Sequence, residues 1–290
     1  MHQTSAKTDQ IAAPVNTVVR EREILGFPVL VATRGEAVRI MDDHLGSSKT
    51  ALITFLNAHV SNETAKNPDL GGILKRGLIL NDGIGVGIAS LVLHGKSFPG
   101  NLNGTDLIPR FLRATRHHFR IYAVGAGAGV AERALEAFRL VAPQHEYVGA
   151  HHGFLTEQDS RAVVADIANK RADLVLVAMG SPRQEIWTSK YLMQDEGFSA
   201  ICVGGLFDFV SKEKPRAPEW VRAVRSEWIF RLVNEPRRLW RRYLIGNSVF
   251  MARLGAAYVR SRRAAKDQSA KTPSLPRQPE EKAEYLLPLQ

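Results

Sequence analysis

The stretch Phe119–Val141, FRIYAVGAGAGVAERALEAFRLV, decides the fold. It begins with the apolar run "FRIYAVG", passes through the glycine turn "GAGAG" and enters "VAERALEAFRLV", whose apolar positions recur every three or four residues. That order reads as a strand, a tight turn and an amphipathic helix. The same alternation extends from Leu25 to about Val210, with strand candidates "FPVLVAT", "ALITFL", "GLIL", "HEYVGAH", "ADLVLVAMG" and "AICVGG" and a further helical pattern in "SRAVVADIANKR". Nearly continuous apolar strands separated by helices predict a Rossmann-like α/β core, a mainly parallel sheet with helices on both faces.

The 290 residues, 44% of them hydrophobic, can bury one sizeable core, which excludes a disordered or fibrous chain. Cys202 is the one cysteine, so an internal disulfide or a multi-cysteine zinc site is excluded and a reducing, cytoplasmic setting is expected. Its apolar neighbours in "SAICVGGLF" make it a buried, inert thiol. Residues 1–24 lack the apolar segment of a secretory signal and read as a flexible leader. No run offers the roughly 20 apolar residues of a spanning helix, so a soluble or peripheral protein is expected. The core spans 25–210, a basic helical appendage 211–263, and a tail rich in Pro, Lys, Glu and Gln, expected to be disordered, 264–290.

Charge is unevenly placed. Between Lys212 and Arg263 there are 14 Lys or Arg against 4 Glu, an excess equal to the net +10 of the whole chain. Such a block is drawn to a polyanion, either nucleic acid or an anionic membrane. In "EPRRLWRRY", Arg237, Arg238, Arg241 and Arg242 share helix faces beside Trp240 and Tyr243, which favours a phosphate or anionic-lipid surface over a merely solvated face.

Ligands of open parallel sheets bind beyond the carboxyl ends of the strands. There the chain places Asn57, Asn81-Asp82, "GAGAG", "GSPRQ" and the "GG" of "AICVGG". The glycines Gly125 and Gly127 suit either a backbone cradle for a diphosphate or a plain turn. Their G-x-G-x-G spacing and the lack of a ribose-binding acid about 20 residues on disfavour an NAD-type oxidoreductase. In "GSPRQEIW", Ser181, Pro182 and Gln184 fit a capping box, or else Gln184 turns its amide to a sugar or phosphate. In "LILNDGIGVGIASLVLHG", Asp82 is either the helix cap or a general base. Gly83, Gly85 and Gly87 behind it cost up to about 1 kcal/mol each in a helix and make sense where something approaches the backbone closely. His117-His118 and His151-His152 lack metal-ligand spacing, and there is no Asp-x-Asp pair to hold magnesium. No metal site is expected, and arginines or helix N-termini would neutralise a leaving diphosphate.

Taken in order, "NDGIGV", "NLNGTDL", "GSPRQE", "VGGLFDF", "RAPEW" and "EWIFRLVNEPRRLWRR" resemble the WecG/TagA/CpsF family of bacterial glycosyltransferases, glycosyltransferase family 26, from about Gly26 to Asn247. The resemblance implies an inverting, metal-independent hexosyltransferase without a cofactor. Its partners would be a UDP-sugar donor, a polyprenyl-diphosphate-linked saccharide acceptor and the anionic inner face of the cell membrane, where the protein would sit peripherally. The product would be a cell-surface polymer such as an exopolysaccharide. The resemblance makes Asp82 the catalytic base. It puts Gln184 in the active-site pocket, matches Asn57 to a family strand end, and sets Arg216, Arg225, Arg231, Arg237 and Arg238 toward the donor diphosphate. With the polar strand ends, the expected substrate contacts are Thr54, Asn57, Asn81, Asn101, Asp106, Gly125, Gly127, Gly180, Gln184, Gly204 and those arginines. Two positions depart from the family pattern. Thr54 stands one residue early for the Thr-x-Asn element, with Phe55 in the usual place, and Asn101 stands where many members carry Arg. Asn101 cannot neutralise a phosphate. A homo-oligomer is left open. Nucleic acid as the partner of the basic block would leave the polar strand ends idle and is not expected; it would bring a steep salt dependence.

Overall fold

The structure, a computed structural model, describes residues 19–47, 50–194, 197–218, 221 and 227–271. Residues 1–18 of the expected leader, Trp220, Arg225 and the tail beyond Lys271 lie outside the described residues. The first elements are a hairpin. β1 (Glu21–Ile24) and β2 (Phe27–Leu30) pair antiparallel. Leu25 (φ 50°) and Gly26 (φ 90°) turn between them, the left-handed backbone that a two-residue hairpin needs. The strand expected in "FPVLVAT" therefore exists but forms a separate two-stranded sheet, and the expected leader ends in a strand.

The main sheet follows the expected alternation. After α1 (Arg34–Ser47) come β3 (Leu52–Leu56), α2 (Ala58–Lys66), α3 (Pro68–Leu74), β4 (Leu78–Asn81) and α4 (Gly83–His94). Then α5 (Gly104–Ala114), β5 (Arg120–Gly125), α6 (Val130–Val141), β6 (Glu146–His151) and α7 (Glu157–Asn169) lead to β7 (Leu174–Ala178), α8 (Arg183–Tyr191), β8 (Ser199–Cys202) and α9 (Leu206–Val210). The order is β4-β3-β8-β7-β5-β6 and every pairing is parallel. The last strand in sequence, β8, thus fills the middle.

Strand periodicity sorts the core. Ile53 and Phe55 of β3 face one layer with residues of α1, α5 and α6, whereas Leu52 and Leu56 face the other, where α7, α8 and α2 pack. Burying each such side chain stabilises the fold by about 1.5–3 kcal/mol.

The basic segment continues as α10 (Glu227–Asn234), α11 (Pro236–Trp240), a π-helical turn at Arg241–Ile245 and α12 (Gly246–Lys271). α12 runs past the expected end of the appendage at Arg263. It docks on the core: Phe250 and Leu254 are buried with Leu56, Val60, Ile79 and Val86. Arg253 Nη1 donates to the Ser61 carbonyl (2.6 Å) and to Asn62 Oδ1 (3.0 Å), and Asn62 Nδ2 donates to the Gly246 carbonyl (2.7 Å). This contact accounts for one glycine of α4, since a Cβ on Gly85 would lie 3.3 Å from the Ala58 methyl and 3.6 Å from the Phe250 ring. Among the described residues no helix is long and apolar enough to cross a membrane.

Candidate active site

The parallel register of β3 and β4 sets Leu56 beside Asn81, so the next residues, Asn57 and Asp82, emerge side by side. Their backbones are tied, with Asp82 N–H donating to the Leu56 carbonyl at 2.9 Å. Asn57 caps α2, its Oδ1 accepting from Val60 N–H at 3.0 Å. That bond orients the amide, and its Nδ2 donates to Asp82 Oδ2 at 3.0 Å.

Asp82 occupies the N-cap position of α4 without making a side-chain cap bond. Asn101 does so in its place, its Oδ1 accepting from Gly83 N–H at 3.0 Å. The expected side-chain cap by Asp82 is therefore not made, and the half-buried carboxylate lines a cavity instead.

That cavity encloses about 900 Å³ beyond the carboxyl ends of the central strands. Asn57, Asp82, Asn101, Asp106, Gly180, Gln184, Gly204 and Arg231 line it. The further lining residues, not named among the expected substrate contacts, include Arg34, His59, Glu227 and Arg242. Arg34 Nε donates to the Asn101 carbonyl (3.3 Å), and its Nη2 lies 3.9 Å from Asp106. Arg216 stands behind the wall, in an ion pair with Asp106. Arg231 lies over the Phe209 ring at 5.2 Å, and its Nε has no hydrogen-bond partner. The π turn brings Arg242 and Tyr243 to the cavity, where burial lowers the Arg242 pKa; a guanidinium still remains cationic at neutral pH. Burial, and then Arg242, holds the His59 pKa down, favouring a neutral imidazole. Burial raises the Glu227 carboxyl, an effect opposed by Arg216 and Arg231. The site thus gathers the Asp82 carboxylate and the guanidinium groups of Arg34, Arg231 and Arg242 around one cavity of a size that takes a small organic ligand. Among the described residues no group of three or more His, Cys, Asp or Glu is placed to hold a metal ion.

Other expectations are corrected. "GSPRQ" forms no capping box: α8 starts at Arg183, and its N-cap is Pro182, with no side-chain bond. Gln184 instead ties the start of α8 to the loop after β8, accepting from Gly204 N–H at 3.0 Å, and donates to Glu185 Oε1 at 2.8 Å. Gly125 and Gly127 do not line the cavity. A Cβ on Gly125 would stand 2.4 Å from the Ala178 carbonyl oxygen, so strand packing accounts for that glycine. Thr54 is fully buried in β3, its hydroxyl without a hydrogen-bond partner. Asn81 is buried and donates to the Gly100 carbonyl (2.8 Å), holding the loop that carries Asn101. Arg237 and Arg238 are exposed outside the cavity, with Arg238 paired to Glu235 at 2.5 Å.

The buried Glu185 gives a pH signature. Its carboxyl accepts from Ser181 Oγ (2.6 Å) and Gln184, but burial dominates and raises its pKa. The folded state keeps a proton that the unfolded chain loses near 4.5, so stability falls as pH rises from there through the raised value. Glu185→Gln is expected to flatten that part of the stability profile. Melting curves at successive pH values test it, and an unchanged slope would refute the assignment.

A family model described as "Glycosyl transferase WecG/TagA/CpsF family" matches residues 22–264. The N-acetylglucosaminyldiphosphoundecaprenol N-acetyl-beta-D-mannosaminyltransferase of Bacillus spizizenii is 33% identical over 203 residues, 69% of this chain and 77% of the relative. The enzyme of the same name in Bacillus subtilis is 30% identical over 196 residues, 67% of this chain and 75% of the relative. That of Staphylococcus aureus strain MW2 is 29% identical over 213 residues, 73% and 82% of the two chains.

Proposed function

The chain belongs to the WecG/TagA/CpsF family of glycosyltransferases, and from that premise we propose that it transfers a sugar from a UDP-sugar to a polyprenyl-diphosphate-linked saccharide with inversion. The product would enter a cell-surface polysaccharide. The names of the relatives favour an N-acetylmannosaminyl donor and an N-acetylglucosaminyl-diphospholipid acceptor as the first pair to test. One observation carries the reading: Asp82 is relieved of helix capping by Asn101, oriented by Asn57, and set in a cavity with Arg34, Arg231 and Arg242.

In this mechanism the acceptor hydroxyl gives its proton to the Asp82 carboxylate as its oxygen bonds to the anomeric carbon. The bond from that carbon to the UDP oxygen breaks on the opposite face. The guanidinium groups take up the charge on the leaving diphosphate, so no metal is required. The Arg- and Trp-bearing segment, with Trp240, Leu244, Ile245 and Val249 exposed, supports peripheral docking on an anionic membrane.

A thermal-shift screen against UDP-sugars with and without EDTA, followed by transfer assays, tests donor and metal together. Stabilisation that disappears with EDTA would overturn the metal-independent mechanism. Arg242→Ala is expected to raise the donor KM roughly 10- to 100-fold, corresponding to the loss of ~1.5–3 kcal/mol from a hydrogen bond to a charged group. An unchanged donor KM would remove Arg242 from the diphosphate site.

A further inference from the structure

A second, smaller concavity of about 240 Å³ runs along α4 beside the catalytic cavity. Ile84, Ile88, Leu91 and Val92 of α4 are 42%, 36%, 53% and 38% exposed. Their spacing places them on one helical stripe. Apolar side chains exposed singly need no explanation, but a contiguous apolar stripe beside a groove marks a binding surface.

We propose that this groove seats the isoprenoid chain of the lipid-linked acceptor, a reading that rests on the transferase function above and adds where the lipid lies. Three observations support that occupant. First, the groove adjoins the catalytic cavity, because Gly83, Ile84, Gly100 and Asn101 line both. Second, none of its lining residues is ionisable, so it suits a hydrocarbon and not a phosphate. Its volume is below the ~300–1,000 Å³ that encloses a whole small molecule, as expected for a segment of a longer chain. Third, its far wall is held in place. Arg22 of the hairpin donates to Ser90 Oγ and to the carbonyls of Lys96 (2.7 Å) and Ser97 (3.2 Å), and lies over the Phe98 ring at 5.2 Å. Phe98 and Gly87 both line the groove.

The direction fits the chemistry. α4 begins next to Asp82, and from Gly83 to Leu91 the stripe extends about 12 Å at a rise of ~1.5 Å per residue. A chain entering at Asn101 would run away from the reacting hydroxyl while its saccharide stays at the carboxylate.

The test uses the full chain with Ile88→Ser and Leu91→Ser combined, both at exposed positions, and two acceptors sharing one saccharide diphosphate, one on a long polyprenyl chain and one on a short alkyl chain. The double variant is expected to raise the KM of the long-chain acceptor about tenfold, from the loss of two apolar contacts. The short-chain KM and the UDP-sugar KM should stay at wild-type values. An unchanged preference for the long chain would overturn the proposal. So would an equal loss with both acceptors accompanied by weaker flotation with anionic vesicles, which would make the stripe a membrane-docking face. A shift in oligomeric state on substitution would assign the stripe to a second copy instead. If neither protein transfers sugar to any acceptor, the transferase reading fails, and direct binding of a long-chain polyprenyl phosphate decides the groove. Weaker binding by the variant supports it, and equal binding overturns it.

Discussion

Asp82→Asn is expected to cut turnover by about 10²-fold or more while the melting temperature and the affinity for UDP-sugar stay at their wild-type values. The fold should tolerate the change because Asp82 makes no side-chain capping bond, and its acceptor role toward Asn57 Nδ2 is one that an amide carbonyl can also fill. What is lost is the capacity to take a proton. Turnover near that of the wild type would sink the base assignment. Asn57→Ala separates positioning from proton transfer. It removes the cap of α2 and the orienting amide, costing about 0.5–2 kcal/mol of stability. It should lower kcat through a loosened Asp82 without abolishing the pH dependence of the reaction.

Phe250→Ala is the second large effect, expected to destabilise the protein by about 3–5 kcal/mol. Phe250 is 1% exposed and sits against Gly85 and Ala58 in the cluster that joins α12 to the core. At roughly 2–4 °C per kcal/mol for a chain of this size, the melting temperature should fall by about 10 °C. The consequence extends to the site. Arg242, Tyr243 and Asn247 reach the cavity from the chain just before Phe250, so a loosened α12 should also raise the donor KM. A melting temperature within about 2 °C of wild type would show that α12 contributes little to the core.

The strands of the parallel sheet were legible because each is a short apolar run bounded by turn residues, and their carboxyl ends do collect the polar groups. The hairpin was not separable from the sheet, since "FPVLVAT" has the composition of any buried strand and nothing local states its partner. Capping was ambiguous at Asp82 for a similar reason. Local rules name the Asp beside the helix, but the acceptor that wins lies 18 residues beyond Gly83 on another loop. "GSPRQ" satisfied a local capping pattern, yet Gln184 bonds instead to Gly204, 20 residues on. The glycine pattern of α4 signalled a close approach, and part of its cause, Phe250, lies 165 residues downstream by chain numbering. Arg34 gave no signal, because a single arginine at a helix start is ordinary until the fold sets it against Asn101 and Asp106.

The central place of β8 has a kinetic consequence. Before it inserts, the sheet exists as two separate ribbons, β4-β3 and β7-β5-β6, each with an open edge of unpaired amides and carbonyls. β8 joins them by pairing with β3, about 150 residues earlier in the chain, so loop-closure entropy is paid before that contact stabilises anything. Assembly should therefore be slow relative to helix formation, and the two open edges are where a partly folded chain would aggregate.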